Sequence, residues 1–320
     1  MKSWRIIVQP DGTVIETDVE HEAPTPGEGA LIWVQIDGRE QRYRDWLDTR
    51  SGLPMAVVAA LTAVETRPRC EQIGDGALIN LRGLGETPED DPDRLVSIRM
   101  WAERGRVISM GYRRLAAMPA LREAVLAGKV RDPGDLISTL ASTITVSLDE
   151  EIAALGDELD ECETSLDASK AYAMRRKIAR TRSEAIEYRR FVVPQRQALE
   201  RMADLPVDWL EDDDRIHLRE AADRFARMAE ELEAIRERSA LMHEQLTDLR
   251  AEQIETRTLT ISIVALVFLP LTFLTGLLGM NVQGIPYAHA PWAFWGVVAV
   301  CVAAAAVIAG YFIKAQWFRG

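Results

Sequence analysis

The sequence predicts an α+β soluble domain that continues through a long helix into two C-terminal membrane-spanning helices. Three observations predict it. Charged residues are dense as far as Arg257, and then no Lys, Arg, Asp or Glu occurs from Thr258 to Ile313. A helix in a soluble protein keeps a wet face and needs no such charge-free stretch, so the chain is divided between two solvents. Apolar and β-branched runs of strand length crowd the N-terminal third, and helical periodicity governs most of the remainder. The organisation expected is a mixed α/β domain over residues 1–118, a helical region and stalk over 119–257, and two spans within 258–320.

Strands are predicted at residues 4–8, 30–36, 77–81, 95–101 and 107–111, most of them bounded by Gly, Pro or Asp. The last two, separated by Ala102-Glu103-Arg104-Gly105-Arg106, read as a hairpin. Residues 54–65 read as a helix with Pro54 just inside its start. The acidic stretch 86–93 reads as a surface loop.

A long helix is expected over residues 133–166, with Leu148, Ile152, Leu155, Leu159 and Cys162 at helical spacing. A second carries Arg175-Arg176-Lys177 and ends near Met202, with a kink expected at Pro194. After Pro206, the residues Leu218, Ala221, Phe225, Met228, Leu232, Ile235, Ser239, Met242, Leu246 and Leu249 alternate in steps of three and four, a heptad seam. No helix breaker separates this seam from the apolar segment, so one helix from about Asp208 to Leu278 would be ~100 Å long. Its seam can serve a stalk in an oligomer or an antiparallel bundle within one chain.

Residues 259–278 and 292–313 are each long and apolar enough to cross a bilayer. Trp292, Trp295, Tyr311, Phe312, Trp317 and Phe318 gather near the ends of the second span, as interfacial aromatics do. Arg250 and Arg257 precede the first span, Lys314 and Arg319 follow the second, and the loop between has neither Lys nor Arg. Both termini are therefore expected in the cytoplasm. Two spans cannot enclose an ion path, so a pore needs several copies about an axis. The expected lining is the stripe Thr258, Ile261, Ala265, Leu269, Thr272 and Gly276 on the first span, smaller and more polar than the Leu, Val and Phe residues elsewhere on that helix. The same spacing also suits close packing of helices through small residues. Pro270 within the span releases a backbone carbonyl.

The loop opens with Gly279-Met280-Asn281. Glycine permits an open backbone, and Asn281 supplies a neutral amide oxygen that can orient the water of a hydrated divalent cation. Together with the preceding Phe268-Leu269-Pro270-Leu271-Thr272-Phe273-Leu274-Thr275-Gly276-Leu277-Leu278, this sequence resembles the first transmembrane segment of the CorA metal ion transporter family and its closing GMN signature. The resemblance implies a funnel-shaped homopentamer with an α/β/α sandwich-like cytoplasmic domain. It also implies a multi-pass location in the inner membrane, with Gly279, Met280 and Asn281 as the outer selectivity element. Magnesium and cobalt members commonly carry an acid soon after the signature, whereas this chain reads Val282-Gln283-Gly284-Ile285-Pro286. That loop is similar to the zinc-associated ZntB branch, from which Gln283 departs. The implied cargo is a divalent cation, zinc preferred, met by Asn281 through hydrating water; no cofactor is implied, and proton-coupled uptake is a hypothesis the resemblance permits.

The net charge of −12 disfavours nucleic acid as a partner and suits either cation gathering or plain solubility. Cys70, Cys162 and Cys301 have no metal or disulfide spacing. The four histidines, His21, His217, His243 and His289, form no paired ligand motif. His217 follows Glu211-Asp212-Asp213-Asp214, which is either a weak cation-collecting patch or an acid-rich helix start. His289 is either an outer sensor of pH or metal or an ordinary exposed residue. No phosphate loop, dinucleotide turn or nucleophile elbow points to an enzyme. The rivals are a magnesium or cobalt channel of the same family and a membrane-anchored oligomeric scaffold.

Overall fold

A computed structural model of the chain describes residues 3–20, 28–64, 67–86, 94–165, 171–280 and 290–317. They fall into two compact units, one made of residues 1–165 and 173–243, the other of residues 166–172 and 244–320.

The first unit is built on a seven-stranded sheet: β1 (Trp4–Val8), β2 (Val14–Thr17), β3 (Leu31–Asp37), β4 (Arg69–Ile73), β5 (Gly76–Leu84), β6 (Leu95–Glu103) and β7 (Arg106–Gly111), in the order β2-β1-β3-β7-β6-β5-β4. All neighbouring strands are antiparallel except β3 and β7, which run parallel with Val34 beside Ile108. β6 and β7 form the expected hairpin, with Glu103 opposite Arg106. The five strands expected from apolar runs all form, and β2 and β4 join them. Neither announces itself in the sequence, β2 because it is short and β4 because Arg69, Glu71 and Gln72 dilute its apolar residues.

One face of the sheet packs against α1 (Gln41–Thr49) and α2 (Met55–Thr62). Tyr43 and Leu47 from α1 and Val57, Val58 and Leu61 from α2 join Val34, Ile36, Leu78, Trp101, Ile108 and Met110 in one apolar cluster. Helix α1 was hard to foresee because so few of its side chains are apolar. The other face carries α3 (Met118–Leu126) and α4 (Pro133–Thr164), with α4 along β5. Gly83 lets the helix approach closely there: a Cβ would stand 2.9 Å from the Leu115 side chain and 3.1 Å from that of Ile144, which would have to give way.

Helices α4, α5 (Ala171–Ala203) and α6 (Asp212–Leu278) complete the unit. Asp132 caps α4 by accepting from the Asp135 amide at 2.9 Å. Helix α5 continues through Pro194. The heptad seam from Leu218 through Met242 is buried, as are Leu148, Ile152, Leu155 and Leu159 of α4 and Ile178, Ala185, Tyr188 and Val192 of α5. Lys177 pairs with Glu158 and Glu161, Arg189 with Glu233, and Arg238 with Asp160 and Glu163, lacing the three helices together at their margins. The seam is thus spent within the chain, as the bundle alternative expected. Gln195 of α5 both donates to the Arg82 carbonyl, at 2.8 Å, and accepts from the Arg82 amide, at 2.6 Å, where β5 runs on past its pairing with β4.

The second unit contains the end of α6 and α7 (Ala293–Trp317). Both are long and apolar enough to cross a membrane. Half-buried positions recur at Ile263, Val267, Leu271, Leu274 and Leu278 on α6 and at Val297, Cys301, Ala304 and Ile308 on α7. Steps of three and four on each helix are the pattern left by two helices that shelter one another along one stripe.

Candidate ion-conduction site

The expected lining residues lie away from that half-buried stripe. Thr258, Ile261, Ala265, Leu269, Thr272 and Gly276 are all exposed, Ile261 by 70% and Leu269 by 77%. Ala265, Leu269 and Thr272 come together in one groove with Ser262, Pro270 and Ile308 of α7; Thr258, Ile261 and Gly276 do not line it.

The hydroxyls on this helix are satisfied from within it. Thr258 donates to the Ile254 carbonyl at 2.8 Å, Ser262 to the Thr258 carbonyl at 2.8 Å and Thr272 to the Phe268 carbonyl at 2.7 Å. A hydroxyl that has placed its proton on the preceding turn still offers oxygen lone pairs, so these residues present acceptors without an unpaired donor. Pro270 has no N–H, so the Leu266 carbonyl loses its helical partner, and Leu266 also lines the groove. Oxygen acceptors on an apolar helix suit a hydrated cation better than an anion.

At the end of α6 the Gly279 amide donates to the Thr275 carbonyl at 2.9 Å. Gly279 has no positive φ, so left-handed freedom is not what glycine supplies here. It supplies clearance, since a Cβ would come within 3.0 Å of that same carbonyl. Met280 is half exposed. Asn281, His289 and residues 282–286 of the loop lie outside the described residues, as do His21 and residues 87–93 of the acidic stretch.

A second acidic feature was not foreseen. Asp132, Asp135 and Asp214 place three carboxylate oxygens within 4.8 Å of one another. Of the acids before His217, only Asp214 joins this group; His217 stands beside Asp213 at 3.6 Å. Asp214 is 2% exposed, and its carboxylate accepts from the Glu211 amide at 3.1 Å and from the Ser138 hydroxyl at 3.4 Å. Burial and the neighbouring Asp132 push its pKa up to about 6. Burial likewise raises Asp132. Both residues serve helix starts, which accounts for their positions without a metal. The sequence hid the group because Asp132 and Asp214 meet only when α4 packs beside the start of α6.

Cys70 and Cys162 are unreactive by environment. Burial raises the Cys70 thiol to about 12 and also raises Cys162.

The family model for CorA-like Mg2+ transporter proteins matches residues 28–314. The chain belongs to this family. CorA-family membership also agrees with the curated relatives: the zinc transport protein ZntB of Pectobacterium carotovorum is 32% identical over 286 residues, covering 89% of this chain and 87% of that protein. ZntB of Klebsiella pneumoniae is 32% identical over 255 residues, covering 79% and 78%. Among solved structures, full-length CmaX is similar with a TM-score of 0.80 and 28% identity, covering 98% of this chain and 97% of that one. The CorA magnesium transporter of Methanocaldococcus jannaschii has a TM-score of 0.79 at 18% identity, covering 98% of each chain, which establishes a CorA-like fold. The soluble α/β domain, the long helix and the two apolar C-terminal helices are the parts of that fold.

Proposed function

We propose that this CorA-family chain carries divalent metal cations across a membrane, with zinc the preferred cargo. The observation that carries the reading is the exposed stripe on α6, where hydroxyls and a proline-released carbonyl present oxygen acceptors on a helix otherwise apolar. One protomer provides only one wall of a path, so the working unit needs several copies about an axis. Likeness to the CorA family supports a funnel-shaped homopentamer in the inner membrane, with α6 lining the axis and both termini cytoplasmic. Gly279, Met280 and Asn281 form the outer selectivity element, and Asn281 meets the ion through its hydration water. Zinc is favoured over magnesium by likeness to the ZntB proteins and by a loop sequence with no carboxylate between Asn281 and Pro291. Without a carboxylate ring, the loop attracts cations through amide dipoles, a field too weak to strip a tightly held hydration shell. Uptake driven by a proton gradient completes the proposal.

The test is zinc flux into proteoliposomes of purified protein, with magnesium, cobalt and nickel as competitors and with an imposed pH gradient. Zinc uptake that accelerates with an inward proton gradient is expected. A magnesium channel, the reading favoured by the family's general description, would instead show magnesium outcompeting zinc. A scaffold would show no flux of any ion.

A further inference from the structure

The soluble unit holds a cavity of about 640 Å³ toward the β5–β4 edge of the sheet, and five arginines line it: Arg67, Arg82, Arg99, Arg113 and Arg190. In a chain of net charge −12 such a gathering runs against the overall balance. The strand register shows how it arises. Leu78 of β5 stands opposite Trp101 of β6 within the apolar core; the next row on that face pairs Asn80 with Arg99, and the next pairs Arg82 with Ser97. Since side chains of one face recur every second residue, a single face passes from core to cationic within three rows.

Arg82 and Arg99 are held in place by neighbouring side chains and backbone. Arg82 donates its Nε to the Ser97 hydroxyl at 2.9 Å and lays its guanidinium 4.0 Å from the Phe191 ring centre. Arg99 is 2% exposed; it donates one Nη to the Val64 carbonyl at 3.0 Å and stands 5.0 Å from the Tyr112 ring centre. Its Nε is buried with no partner among the described residues, and so are both polar side-chain atoms of Asn80 in the same row. Burial, and then the nearby Arg82, lower the Arg99 pKa. A buried guanidinium is ordinarily matched by a carboxylate, and Arg99 has none among the described residues.

We propose that this cavity binds a small anion carrying two or more phosphate groups, of the nucleoside diphosphate or triphosphate class. Guanidinium forks match phosphate oxygens in bidentate pairs, and several converging forks suit several phosphates. The volume falls within the range of small-molecule sites and far exceeds what a halide or sulfate fills. This site shares no lining residue with the groove on α6 and does not depend on the cargo assigned to it.

The test is titration calorimetry on the full-length protein in detergent, with EDTA present and ionic strength fixed. The probes are ADP, sodium tripolyphosphate and dihexanoyl phosphatidic acid, with chloride and sulfate as controls. Saturable binding of ADP or tripolyphosphate is expected, and the tighter of the two identifies a nucleotide or an inorganic source. The variants Arg67→Gln and Arg190→Gln, both at exposed positions on the rim, should each weaken it about tenfold. Arg99→Gln should abolish it, and the rim variants keep the test decisive if that buried change impairs folding. Binding of phosphatidic acid alone would move the site to lipid headgroups and overturn the soluble-ligand class. Absence of saturable binding, equal competition by chloride, or rim variants with unchanged affinity would also overturn the proposal.

Discussion

In the soluble unit Trp33, Tyr43 and Phe225 are sealed from solvent, whereas in the C-terminal unit Phe268, Phe273, Trp295 and Tyr311 are all more than 60% exposed. The first unit closes its core with its own strands and helices. Among its described residues the second offers two apolar helices, each able to shelter one stripe of the other, and the rest of their apolar surface needs lipid or further copies. Water drives the packing of the first unit. In a bilayer that drive between helices is absent, and shape and hydrogen bonding decide their association. One unit can therefore be changed without the other, which gives the comparison its tests.

The largest effect should come from the loop. Asn281→Ala is expected to cut zinc flux at least tenfold while leaving the thermal transition of the soluble unit unmoved; unchanged flux would remove the selectivity role of the loop. Next is a matched pair of aromatic truncations. Phe225→Ala should cost about 3–5 kcal/mol in denaturant unfolding, while Phe273→Ala in detergent should cost under about 1 kcal/mol. Equal losses would mean that Phe273 is packed against protein.

A third test uses pH on the soluble unit. Asp214 has a folded pKa of about 6, above its ordinary value of 3.8, so folding takes up a proton between those values. The cost of this buried charge is absent below about pH 4 and fully present above about pH 6. Asp214→Asn keeps an acceptor for the Glu211 amide and should flatten that fall, gaining on the order of 2 kcal/mol at pH 7 and nothing at pH 4. Parallel stability curves for the two proteins would show that Asp214 titrates normally. The smallest effect is expected from Thr272→Val, which removes a lining oxygen but preserves shape; flux should fall only a few-fold, measured beside Asn281→Ala.

How much could be read from the chain alone follows the same division. The spans were legible because a bilayer imposes a simple rule on composition, and no neighbour is needed to satisfy it. Strands β1, β3, β5, β6 and β7 were legible because their apolar runs are long. β2, β4 and α1 were not, since partners rather than composition hold them in place. The heptad seam was visible but its partner was not, because Phe225 and Leu232 suit another subunit as well as α4 and α5. The stripe proposed to line the path was visible as a pattern smaller and more polar than the rest of its helix, and each of its residues is exposed. The Asp132, Asp135 and Asp214 group and the five-arginine cavity were invisible, because each assembles residues far apart in sequence.

Gln195 occupies a helix position that composition alone would assign to leucine, and its amide takes the place of a strand at Arg82. A drift to leucine would leave α5 intact and the conduction path untouched, yet it would bare an amide and a carbonyl at the rim of a large sheet. Nascent chains would then meet one another along that rim before they matured. The consequence of losing this glutamine would therefore fall on the yield of protein that reaches its destination, a quantity no transport assay on purified material would register.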